Sequence, residues 1–108
     1  MFLINNEVTY TSIIDITKDY LEFKGKRVKF HATVKLISLR LNTIIVEGHY
    51  HDSFIRIPKK MRSSLEELLE VHKRVDVGII AEGVPYFCAH RGIVGIKQGK
   101  ILAINPHQ

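Results

Sequence analysis

Between Arg27 and Leu36 the chain alternates without a break. Val28, Phe30, Ala32, Val34 and Leu36 are apolar, and Arg27, Lys29, His31, Thr33 and Lys35 between them are polar. A period of two is the side-chain period of an extended strand with one face buried and the other wet. Such a strand cannot stand alone, because its edges need hydrogen-bond partners and its apolar face needs a cover.

The partners follow. Thr43-Ile44-Ile45-Val46 is a second β-branched run, after a short connection at Arg40 to Asn42. Phe54-Ile55-Arg56-Ile57 is a third, reached through Gly48 to Ser53, which reads as a hairpin loop or partly strand. After Pro58 the period changes. Ser63 or Ser64 is expected to cap a helix with Glu66 and Glu67 in its first turn, Lys73 and Arg74 at its end, and Leu65, Leu68, Leu69 and His72 at helical spacing. Val75 to Ala81 reads as a fourth strand. Glu82 to Gly92 reads as a loop, and Ile93 to Ile104 as a last strand bent at Gly95 or Gly99. Upstream, Thr11 or Ser12 is expected to cap a helix from Ile13 to Phe23, stopped at Gly25.

The order is helix, three strands, helix, two strands, which resembles the oligonucleotide/oligosaccharide-binding (OB) fold. Two stretches carry the likeness further. Asp19 to Val34, with Gly25-Lys26 ahead of the alternating strand, resembles the entry into the first strand of OB nucleic-acid binders. Gly92 to Ile104 resembles their closing strand, as in anticodon-binding-like domains and small single-strand-binding subunits. The resemblance implies an all-β fold with added helices: a five-stranded Greek-key barrel with a helix between strands 3 and 4. The whole chain, 1–108, is expected to form one domain, with an N-terminal arm and helix over 1–26 and the barrel over 27–105.

Lys and Arg number 16 against 11 Asp and Glu, a formal charge of +5, which favours polyanions as partners. If the apolar set of the first strand lines the barrel, Arg27, Lys29, His31 and Lys35 form an outward row that can track a sugar-phosphate backbone. With Ile55 and Ile57 inward, Phe54 and Arg56 point outward. Tyr50 lies in the loop between strands 2 and 3, and Tyr86 and Phe87 lie in the loop between strands 4 and 5. Flat rings hold single-stranded bases by stacking. Lys59, Lys60 and Arg62 extend the basic surface past the third strand. The expected function is sequence-independent binding of single-stranded DNA or RNA. The alternative is a protein-interaction module, either a subunit of a nucleic-acid-processing complex or a homodimer. Its contacts would be the outward residues Ile37, Ile45 and Ile80 and the arm Met1-Phe2-Leu3-Ile4. A third reading has the same basic row contact an acidic protein.

His49-x-His51 and Cys88-x-His90 carry zinc-type ligands. The loops bearing them are expected at opposite barrel ends, so no metal or other cofactor is expected. No nucleophile elbow, P-loop or paired-carboxylate pattern is present, and the chain is not expected to be an enzyme. A lone cysteine, Cys88, fits a reducing compartment. The N-terminal residues show neither a basic n-region nor an apolar run of membrane-spanning length. A cytoplasmic protein without membrane contact is therefore expected.

Overall fold

The computed structural model describes residues 9–106. In chain order the elements are β1 (Thr9–Ser12), α1 (Ile13–Lys18), α2 (Tyr20–Phe23), β2 (Val28–Ser38), β3 (Thr43–Val46), β4 (Ser53–Arg56), a 3₁₀ turn (Lys59–Met61), α3 (Arg62–His72), β5 (Val77–Cys88) and β6 (Ile93–Pro106). β2 pairs antiparallel with β3 and with β5, β3 pairs antiparallel with β4, and β5 with β6. β4 and β6 pair parallel at Ile55 and Ile96. Five strands thereby close into a barrel, with the short helix α3 between the third and fourth of them.

The alternation of β2 is realised only in part. Val28, Phe30, Ala32 and Val34 are buried, but the register against β3 shifts between Val34 and Leu36. The bulge at Lys35 moves the pleat by one residue. Leu36, expected inward, is 60% exposed. Ile37, expected outward, packs against the core.

Two helices close the barrel. The core holds Phe30, Ile44, Val46, Ile55, Ile79, Ala81 and Ile96 from the strands, joined by Ile13 and Ile16 of α1 and by Leu65 and Leu68 of α3. Each large apolar side chain among them contributes about 1.5–3 kcal/mol on burial. α3 follows the C-terminal end of β4. α1 sits at the other end, where Thr17 Oγ1 accepts the backbone N–H of His49 at 3.0 Å, in the β3–β4 loop.

Several element boundaries differ from the sequence reading. The N-terminal helix is capped by Ser12, whose hydroxyl accepts the Asp15 N–H at 3.0 Å. It then breaks at Asp19, with φ −119°, into two short pieces rather than running to Phe23. Ahead of it lies an unexpected strand: β1 pairs parallel with β2 from Thr9 opposite Val28 to Ser12 opposite His31. α3 begins at Arg62, not after Ser63 or Ser64, and no side-chain oxygen caps it. The 3₁₀ turn feeding directly into it supplies the first turn that a Ser cap would otherwise start. β5 runs on through Glu82 to Cys88, so Tyr86 and Phe87 are strand residues, held by pairing with Gly95 and Val94. β6 is bulged against β5 at two places, one next to Gln98, which has φ +53°. Among the described residues no helix is long and apolar enough to cross a membrane.

Candidate nucleic-acid interface

The expected basic row on β2 is present but largely engaged within the chain. Arg27 forms an ion pair with Glu82 at 3.4 Å and donates to the Gln98 carbonyl at 3.2 Å. Lys35, on the bulge, pairs with Asp52 at 3.7 Å. Lys29 and His31 meet β1 instead. The Lys29 ammonium lies 5.9 Å from the centre of the Tyr10 ring, and the Tyr10 hydroxyl and His31 Nδ1 are 3.1 Å apart. Such exposed pairs are worth little individually, yet each occupies a cation that the row would otherwise offer to phosphates. Lys59 and Lys60 are exposed on the 3₁₀ turn, at the α3 end.

A denser cluster lies on the outer face of β4, β6 and β5. Strand pairing sets Leu36 beside Ile45 and Ile45 beside Phe54, and sets Tyr86 opposite Gly95. Phe54, expected to be an exposed stacking platform, is 1% exposed. It does point away from the core cluster, as the alternation requires. What covers it is local. Its ring lies across Gly95, where a Cβ would overlap Cζ, Cε1 and Cε2. Tyr86 meets it edge-on, with centroids 6.0 Å apart and planes at 89°. The Arg91 guanidinium sits 4.8 Å from its centroid. Lys97 lies 5.5 Å from the centre of the Tyr86 ring, and Arg56 stands beside the same tyrosine.

Arg56, Arg91 and Lys97 thus converge on two neighbouring rings. None of the three is in an ion pair among the described residues. The Tyr86 hydroxyl is buried with no hydrogen-bond partner among the described residues. Burial pushes its phenol above the usual range. Arg56 pulls the other way, and the Cys88 thiol adds to the rise. Arg91 and Lys97 were missed in the sequence because nothing local distinguishes them. They matter only through the register that brings β6 and its preceding loop over β4 and β5.

Tyr50 is 79% exposed in the β3–β4 loop, and Phe87 is 54% exposed at the end of β5. The two residues line one depression at the α1 end of the barrel, with Thr17, His51, Gly92 and Val94. The loops were expected at opposite ends. They share an end because β4 and β6 run parallel, so the loops that enter these strands enter from the same side. Even so, no group of three or more His, Cys, Asp or Glu side chains suited to a metal exists among the described residues. The apolar residues Met1 to Ile4 lie outside the described residues. No protein-family model matches the chain, and no curated protein matches it.

Proposed function

We propose that the chain is an OB-type Greek-key barrel that binds single-stranded DNA or RNA with little sequence preference. The convergence of Arg56, Arg91 and Lys97 around Phe54 and Tyr86 carries the reading. The closing order β2-β3-β4-β6-β5 and the helix ahead of β5 support the fold assignment. Phosphates lie along the three cations, with Lys59 and Lys60 extending the surface, and the exposed rings of Tyr50 and Tyr10 offer faces to bases. Point-charge interaction with phosphate and stacking on rings carry no base-edge readout, so affinity depends on salt more than on sequence.

Fluorescence anisotropy with a labelled single strand at roughly 50 and 200 mM salt tests this. Affinity is expected to fall steeply with salt. Arg56→Glu and Lys97→Glu should each flatten the log–log slope by about 0.7 for every phosphate that the variant no longer neutralises. No binding at the lower salt sinks the proposal.

The second reading, a protein-interaction module, is favoured by one observation: the Lys35 bulge turns Leu36 out beside Ile45 as an apolar patch. A stable homodimer by size-exclusion light scattering, abolished in Leu36→Lys, would support it.

A further inference from the structure

We propose that the depression between Tyr50 and Phe87 takes one base of the bound strand, separately from the cationic face. This inference rests on the single-strand reading above. Its volume is about 120 Å³, well under the roughly 300–1,000 Å³ of clefts that hold drug-sized ligands. That size suits one planar ring system.

Two large rings from different segments line the depression, and both are left mostly in water. An exposed ring gains by stacking, and a flat base offers a π-face whatever its identity. Both walls are held in place before anything binds. Thr17 Oγ1 ties the β3–β4 loop to α1 through the His49 N–H, which fixes the loop carrying Tyr50. On the other side the Arg91 and Gly92 N–H groups both donate to the Cys88 carbonyl, at 3.1 and 2.7 Å, closing a tight turn directly after Phe87. Gly92 takes φ +70° in that turn, a conformation that favours glycine. A preformed slot gives up less ordering entropy on binding.

The slot also carries a polar handle. His51 Nδ1 donates to the Asp52 carbonyl at 3.2 Å, leaving Nε2 for a base edge. Arg91, one residue before Gly92, leads from the slot to the cationic face through its place over Phe54. A base in the slot carries a phosphate on its own backbone, and Arg91, adjacent in sequence to the slot-lining Gly92, is the candidate cation for it. An aromatic side chain of a peptide would fit the rings but would leave that cation without an anion.

The test compares the full chain with Tyr50→Ala and Phe87→Ala at low salt, using a labelled single strand, the same strand with one abasic position, and free adenosine monophosphate as competitor. Both side chains are exposed, so the variants are expected to fold, which a thermal melt followed by circular dichroism checks. Each substitution should weaken strand binding about tenfold, with the salt slope unchanged because neither ring neutralises a phosphate. Tyr50→Phe should restore binding. The abasic strand should bind the wild type more weakly but suffer no further weakening in Phe87→Ala. Wild-type affinity in both alanine variants, with Arg56→Glu still impaired, would overturn the slot and leave the single-strand reading standing. Competition by a phenylalanine-containing peptide but not by the nucleotide would also overturn it. No strand binding by the wild type would bring down both.

Discussion

Adding one methyl group at Gly95 puts the packing of the outer face to the test. A Cβ there would lie 2.6 Å from Phe54 Cε2 and closer still to Cζ and Cε1. The ring cannot simply swing clear, because Tyr86 meets it edge-on and Arg91 lies over it. Overpacking of this kind costs about 1–3 kcal/mol, and about 2 kcal/mol is expected for Gly95→Ala. At roughly 4–8 °C per kcal/mol for a domain near this size, that lowers Tm by about 10 °C. Phe54→Val removes all three clashing carbons. It should itself cost about 2–3 kcal/mol, since Phe→Ala in cores costs about 3–5 and valine keeps part of the volume. In that background the strain is gone, and alanine is favoured over glycine in a strand by about 0.5–1 kcal/mol. The second substitution should then be stabilising. The expected coupling is about 3 kcal/mol, read from urea melts of the wild type, both single variants and the double variant. Additivity within about 0.5 kcal/mol would refute the placement of Phe54 across Gly95.

Three further outcomes follow from the same geometry. Ile37→Ser should destabilise by more than about 1 kcal/mol while Leu36→Ser stays within about 0.5 kcal/mol, since the bulge turns Leu36 out; equal effects in a denaturant series would mean the pleat does not shift. Ser12→Ala should cost about 0.5–2 kcal/mol by removing the cap on α1, measured by chemical denaturation, with Ser12→Thr close to neutral. Tyr86→Phe should leave the protein as stable as the wild type or about 1 kcal/mol more stable near neutral pH, because it deletes a buried hydroxyl without a partner. The folded Tyr86 pKa is raised, so its contribution is complete below about pH 10 and is lost as pH rises through the folded value. The wild type should therefore lose stability relative to the variant above about pH 10.

The barrel was readable because its strands and helices have different periods. The alternation of Val28 to Val34 and the Leu65 to Leu68 spacing each survive in the buried residues. The bulge was not readable, because the alternation continues through Lys35 to Leu36 while the pairing slips beneath it. Alternation also indicated the correct face for Phe54 but not its cover. A face is a local property, whereas the cover comes from Gly95, Tyr86 and Arg91, brought over it by pairing across three strands. β1 was missed for a different reason. Thr9-Tyr10-Thr11 has strand-forming side chains, but it is short and runs directly into a capped helix, so the helix signal dominated. The shared end of the β3–β4 loop with Tyr50 and of the β5 terminus with Phe87 depended on one parallel pairing in an otherwise antiparallel ring.

The way the ring closes also governs how the chain reaches its native state. β5 and β6 are neighbours in sequence and form a long hairpin, so they can meet early. Val28 finds Gly83, and Ile55 finds Ile96, only after long intervening stretches have been brought together. Loop-closure entropy must be met before those pairings return any free energy, which places barrels of this topology among the slower two-state folders, at milliseconds to seconds. During that interval β2 is a long strand with open edges and an uncovered apolar face. The cations on it, Lys29 and Lys35, and Arg27 just ahead of it then act as gatekeepers against pairing with another chain.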